Sequence, residues 1–309
     1  MELSGLGDFS GSDRRTPTLP RTPRTGDTNR TPHDIMILQI EHQTLYRYRE
    51  PVRFNAHRLL IRPLEGHDCQ VRASELSIEP ANRVRWLNDV FGNSVALVEF
   101  SEPASLLSVL SRVTIEQFNV NPFDFVLETH AAKMPFAYGP QESTEVEPYC
   151  RPLFPQDAAV VREWIRPFLA PKGSTNTLDF LTAVNRSVPL FFSYTPREEP
   201  GVQTPAQTLK TRSGSCRDFA LLMMEAARLQ GLATRFVSGY LCQNGTVPTQ
   251  VADGATHAWM EVYLPGAGWK GFDPTCGILA ADFHVRVAVT RDPAQAVPVA
   301  GSYVGKPRD

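Results

Sequence analysis

The chain has 309 residues, 42% hydrophobic and 21% charged, enough for one large domain or two modest ones with a real core. Lys+Arg 31 against Asp+Glu 33 leaves a formal net charge of −2, which argues against a globally basic nucleic-acid binder, and no apolar run approaches the roughly 20 residues of a membrane span. The five cysteines (Cys69, Cys150, Cys216, Cys242 and Cys276) are scattered and odd in number. They read as thiols of a reducing, cytoplasmic compartment rather than a disulfide framework.

Residues 1–35 show no hydrophobic periodicity and carry three Arg-Thr-Pro triplets, at Arg15-Thr16-Pro17, Arg21-Thr22-Pro23 and Arg30-Thr31-Pro32. Such a stretch buries too little apolar area to offset its ordering entropy, so a disordered tail is expected. Its acids (Glu2, Asp8, Asp13, Asp27 and Asp34) speak against a mitochondrial transit peptide. Deleting the tail is predicted to leave the melting temperature unchanged.

From Met36 to Phe118 the pattern is one strand after another. Leu38, Ile40, His42, Thr44, Tyr46 and Tyr48 share one parity against Gln39, Glu41, Gln43 and Arg47, the period of a half-exposed strand. Further strands are predicted at 58–62, 71–78, 84–87, 94–100 and 106–118, separated by turn residues such as Gly66, Pro80, Gly92-Asn93 and Pro103. This spacing predicts an antiparallel sandwich- or barrel-like N-terminal region over 36–118. The proline-rich stretch 119–155 reads as an irregular connector.

The second half, 156–309, mixes helices and strands, an α+β arrangement. Val160, Val161, Trp164, Ile165 and Phe168 recur at helical spacing, as do Leu178, Leu181 and Val184, and Leu190 to Tyr194 reads as a short strand. Thr204-Pro205 opens a brief helix that Gly214 stops.

Ser213-Gly214-Ser215-Cys216-Arg217-Asp218-Phe219 then reads as the start of another helix. Ser215 suits the N-cap, and Asp218 three residues on can reach back to its amide. Phe219, Leu222, Met223, Ala226 and Leu229 form a core-facing stripe that Gly231 ends. Cys216 therefore falls at the first helical position, where the macrodipole favours thiolate and unpaired amides can receive an oxyanion. The bland reading is a small buried hydrophobe.

Thr256 to Leu264 alternates like a strand, Pro265 to Gly268 makes a turn, and Trp269 to Asp273 returns. His257 and Asp273 are symmetric about Pro265, which predicts directly opposed cross-strand neighbours. Trp259 and Trp269 would flank them with apolar bulk. Singly, His257 is an ordinary strand histidine and Asp273 a turn former. Jointly with Cys216 they supply a nucleophile, a base and an orienting acid, in chain order Cys, His, Asp.

At these residues the sequence resembles the transglutaminase-like superfamily, in its bacterial form with a β-rich N-terminal region. The resemblance rests on Gly214-Ser215-Cys216-Arg217-Asp218-Phe219-Ala220, Ala233 to Tyr240, Thr256-His257-Ala258-Trp259, and Gly268-Trp269 through Asp273-Pro274-Thr275, with a looser match at Asp89 to Asn93. It implies a papain-like α+β core with Cys216, His257 and Asp273 as the catalytic residues. Its implied reaction is acyl transfer on a peptide or protein amide, either transamidation or hydrolysis.

No cofactor is expected. The chain has no run with the spacing of a calcium loop, and zinc at Cys216, His257, Asp273 and Cys276 lacks the paired Cys-x₂-Cys spacing of structural sites. Tyr194 is a candidate second oxyanion donor, and Arg217 and Trp259 are candidates to line the substrate. The alternative is a binding or scaffold module that keeps the fold without the chemistry. His284 reads as an ordinary alternating strand residue.

Overall fold

The alternation that begins at Leu38 belongs to a strand longer than predicted, β1 (Ile35–Phe54). A computed structural model describes residues 35–118, 121–197, 199–242, 256–281 and 283–305; residues 1–34 of the expected tail lie outside them. The described residues divide into two units, the first within 35–118, 285–288 and 297–305, the second within 121–284 and 289–296.

In the first unit β1 is followed by β2 (His57–Leu59), β3 (Cys69–Glu79), β4 (Asn82–Asn88), β5 (Ser94–Phe100) and β6 (Ala104–Phe118). β1 and β6 run antiparallel, with Leu38 opposite Ile115, Ile40 opposite Val113 and Tyr46 opposite Leu107. The register slips between Arg47 and Val52, where Glu50-Pro51 interrupts the alternation. Two four-stranded sheets result, and each takes a two-residue strand from the far end of the chain. The first runs β17-β1-β6-β3 and the second β16-β2-β5-β4, where β16 is Val299–Ala300 and β17 is Tyr303–Val304. Val52 and Phe54 of β1, Leu59 of β2, Ala96 and Val98 of β5, and Leu107 and Val109 of β6 form one buried cluster.

The stretch read as a connector is more ordered than its prolines imply. It contains β7 (Lys133–Met134) and an eleven-residue helix, α1 (Pro140–Cys150). Pro140 sits in the first turn, where its missing N–H costs nothing. Next come α2 (Ala158–Ile165), β8 (Thr175–Asn176), α3 (Thr177–Phe191) and β9 (Ser193–Tyr194). The expected strand from Leu190 to Tyr194 is shorter, only Ser193 and Tyr194: Pro189 is absorbed by α3, which carries Leu190 and Phe191 out into solvent.

The centre of this unit is α5 (Cys216–Arg228), reached through α4 (Pro205–Thr211) and β10 (Ser213–Gly214). Only a stripe of α5 was expected to be covered. Instead Cys216 and every residue from Asp218 to Arg228 are buried, because α2, α3 and α4 pack on one side and the sheet on the other. That sheet runs β14-β13-β12-β11-β15, with β11 Thr234–Leu241, β12 Thr256–Leu264, β13 Gly268–Asp273, β14 Ile278–Leu279 and β15 His284–Thr290. Two buried charges tie α5 to its surroundings. Glu225 accepts the Leu153 and Phe154 amides, and Arg228 donates to Glu225 and to the carbonyls of Tyr149, Thr234 and Arg291. The pair is fully hydrogen-bonded, the condition under which buried charge is tolerated.

Candidate active site

Cys216 stands at the first position of α5, behind Ser215 in extended conformation. Asp218 Oδ2 accepts the Ser215 amide at 2.8 Å and its hydroxyl at 2.9 Å, while Oδ1 accepts Arg197 at 2.8 Å and the Gln203 amide at 2.6 Å. One carboxylate therefore shapes the helix start and anchors the loop around 197–203 beside it. Gly214 is required there: a Cβ on it would lie 2.9 Å from the Asp218 Cβ. β9 and β10 pair in parallel, Tyr194 beside Gly214, and this brings the Tyr194 hydroxyl against Cys216. Burial, and then the neighbouring Cys216, push the tyrosine hydroxyl well above its usual range.

The hairpin closes differently from the expected symmetry. Leu264 opposes Gly268 and Met260 opposes Phe272, so the turn centres on Gly266 rather than Pro265. Gly266 and Gly268 both adopt positive φ, 85° and 72°, the conformation glycine tolerates. Shifting the centre by one residue shifts the pairing by two and preserves parity. His257 and Asp273 are thus diagonal rather than directly opposed, yet remain on one face. Diagonal positions are roughly 7–8 Å apart, and the far ring nitrogen closes the gap: His257 Nε2 lies 2.8 Å from Asp273 Oδ2.

Both side chains are buried, and Cys216 is 7% exposed. His257 Nδ1 makes no hydrogen bond of its own. With Nε2 committed to Asp273, it is left as the nitrogen for the imidazole's interaction with Cys216. Burial opposes the imidazolium, but Asp273, by charge and hydrogen bond, and then Cys216 outweigh it, so the His257 pKa is raised to about 10. Burial likewise opposes the Asp273 carboxylate, yet His257 and then His284 hold it far below the usual carboxylate range.

Asp273 accepts four hydrogen bonds. Oδ1 takes the Thr275 and Cys276 amides at 2.9 and 3.3 Å, and Oδ2 takes His257 and also His284 Nε2 at 3.1 Å. The Cys276 thiol joins the same group: its sulfur and the ligand atoms of His257 and Asp273 all lie within 4.8 Å of one another. Every lone pair of Asp273 is already engaged, so a metal would have to displace one of these bonds. Burial and Asp273 drive the Cys276 thiol well above its usual range.

The other candidates fall differently. Trp259, expected to line the substrate, is fully buried. It lies beneath the imidazole, centroids 6.0 Å apart and planes 27° from parallel, because the residue two beyond His257 shares its face and faces the core. Arg217 was likewise a candidate to line the substrate. It donates to the carbonyls of Arg197 and Glu199 at 3.2 and 3.4 Å, a second tether on the same loop. Trp269 packs on Tyr149, Tyr263 and Arg235 instead of flanking the site. His284, read as a plain strand residue, is the partner that sequence reasoning missed. Strand parity marks its face but not its contact with Asp273, eleven residues away.

Together these features define an α+β protein with a cysteine at a helix start facing a sheet-borne histidine and aspartate. The chain belongs to the transglutaminase-like superfamily: residues 38–116 match the bacterial transglutaminase-like N-terminal region and residues 169–274 the transglutaminase-like superfamily itself. An uncharacterized protein of Mycobacterium bovis is 27% identical over 274 residues, covering 85% of this chain and 86% of its own. One from Mycobacterium leprae is 24% identical over 271 residues, covering 87% and 94%. A crystal structure of a candidate cysteine protease from Cytophaga hutchinsonii is similar in fold, with a TM-score of 0.66 at 18% identity over 88% of this chain and 89% of that one. Among the described residues no helix is long and apolar enough to cross a membrane.

Proposed function

We propose that the protein is a cysteine-dependent acyl-transfer enzyme that acts on amide bonds of a peptide or protein. The observation that carries this reading is the buried imidazole of His257, held by Asp273 at 2.8 Å on one side and facing Cys216 on the other. A scaffold needs none of these three groups, and burying charged ones without a function is costly.

In this reading the thiol proton is already held on His257, and the Cys216 sulfur attacks the amide carbonyl carbon. The carbon–nitrogen bond then breaks, and His257 gives that proton to the departing amine, leaving a thioester on Cys216. Water or a second amine next attacks the thioester, His257 accepts its proton and keeps it, and the sulfur leaves, which restores the starting pair. Water gives hydrolysis and an amine gives transamidation. Asp273 orients the ring and stabilises the imidazolium. The Tyr194 hydroxyl and the Cys216 and Arg217 amides at the start of α5, which have no carbonyl within the helix to bond, are read as donors to the oxyanion. Arg217 is read as a tether for the loop beside the helix start, and Trp259 as the floor under the imidazole. The two antiparallel sheets of the first unit are read as its sandwich- or barrel-like module, and the setting as cytoplasmic.

A peptide panel incubated with and without a primary amine, followed by mass spectrometry, tests the proposal. Release of a carboxylic acid or of an amine adduct is expected, and Cys216→Ala should abolish either product. No product in both channels returns the scaffold reading.

A further inference from the structure

Two imidazoles converge on a single carboxylate oxygen. His257 Nε2 and His284 Nε2 lie 2.8 and 3.1 Å from Asp273 Oδ2, and all three side chains are at most 1% exposed. The second imidazole has its proton position set by another contact. The Ala281 amide N–H lies 3.2 Å from His284 Nδ1. Nδ1 must therefore accept, and Nε2 must carry the hydrogen and donate it to Asp273. The His284 amide donates in turn to the Ala281 carbonyl at 2.9 Å, so ring and backbone are both tied to one turn. Trp259 meets the ring edge-on at 5.0 Å. A space-filling strand histidine requires none of these bonds.

Their effect on Asp273 is geometric. The Thr275 and Cys276 amides hold Oδ1, and the two histidines hold Oδ2. Among the four donors, the His257 ring also faces Cys216. The carboxylate torsion is soft by itself. Remove His284, and Oδ2 keeps a single partner, the ring whose direction it is supposed to set. We infer that His284 is a positioning residue for the reaction proposed above, on which this role rests: its Nε2–H fixes the Asp273 carboxylate, so that Asp273 aims His257 at Cys216. The charged and titratable groups facing it are Asp273 on β13 and His257 on β12, and the Cys276 thiol lies against the same carboxylate.

Two substitutions and one wild-type measurement test this. His284→Phe keeps a ring against Trp259 and removes the donor, whereas His284→Gln keeps an N–H at similar reach. A hydrogen bond to a charged group corresponds to about ten- to a hundredfold in rate. His284→Phe should lower kcat by about that factor with little change in KM. It should also move the alkaline limb of the kcat/KM profile toward neutral pH by about one unit, and His284→Gln should restore most of both. The pH profile of Cys216 alkylation by iodoacetamide should shift in parallel. Nitrogen-15 NMR of the wild type should show His284 protonated at Nε2 only.

Wild-type values in His284→Phe, equal impairment of the Phe and Gln variants, or a proton on Nδ1 would each overturn the inference. If the Phe variant does not fold, the Gln profile and the tautomer decide. If the wild type turns over no substrate, the acyl-transfer reading fails separately, while alkylation and the tautomer still report on His284.

Discussion

A histidine that holds its proton to about pH 10 leaves two separable traces. In turnover, His257 must deliver a proton to the leaving amine, so kcat/KM is predicted to fall as pH rises through about 10; a profile flat to pH 11 would contradict this. In stability, the direction follows from linkage. A group whose folded pKa is raised contributes stability that is fully present below its unfolded value, near 6.5, and is lost as pH climbs through the folded one. Asp273 is shifted the opposite way, so its contribution is present above the ordinary carboxylate range and disappears only in strong acid. Urea melts should therefore show a plateau between the ordinary carboxylate range and about pH 6.5, and a decline from there toward pH 10 that Asp273→Asn removes. If the mutant declined over the same alkaline range as the wild type, the His257–Asp273 pair would not be its source.

At the scale of elements, the start of α5 depends on Asp218 more than on any other single residue. Its carboxylate is fully buried and serves Ser215, Gln203 and Arg197 together. Arg197 is 17% exposed, so water offsets part of its lost pairing. Asp218→Asn is therefore expected to cost about 2–3 kcal/mol, at the low end of breaking a buried pair. Gly214→Ala forces a Cβ against Asp218 and is expected to cost about 1–3 kcal/mol, as overpacking does. Either change should also slow alkylation of Cys216; unchanged melting in both variants would remove Asp218 from this role. The sequence made much of this element legible, because N-cap, acid at the third position, apolar spacing and terminal glycine are all local signals. The parity of His257 and Asp273 was legible too, while their register was not, since positive φ at Gly266 and Gly268 decided where the turn closed. His284, Cys276, and the pair Glu225 and Arg228 were illegible for a common reason: their roles lie in contacts with segments distant along the chain, which periodicity does not encode.

For the whole molecule, the least expected feature is where the chain ends. Residues 297–305 group with the first unit, although they follow the second in sequence. Val299 opposes Leu59 and Tyr303 opposes Phe54. Tyr303 also meets Tyr48 edge-on at 4.8 Å, and both Val299 and Tyr303 pack on the buried cluster of β1, β2, β5 and β6. Two-residue strands carry no detectable alternation, so no pattern along the chain marks this return. Close packing confirms the fit of the segment around it, since a Cβ on Gly301 would lie 2.3 Å from the His57 ring. Truncation after Ala296 leaves two outer strands, β1 and β2, without partners there and opens the cluster they cover. Losing one buried aromatic alone costs about 3–5 kcal/mol when it leaves a cavity. Tyr303 is half-buried, so about 2–4 kcal/mol is a reasonable expectation for the whole segment. In a unit of this size that lowers the melting temperature by roughly 10–20 °C. Hydrogen exchange on the truncated chain should then show protection lost first in β1 and β2, while α5 and β12 keep theirs. Equal loss in both units would mean that they unfold as one, and no loss in either would mean that the terminal strands contribute nothing.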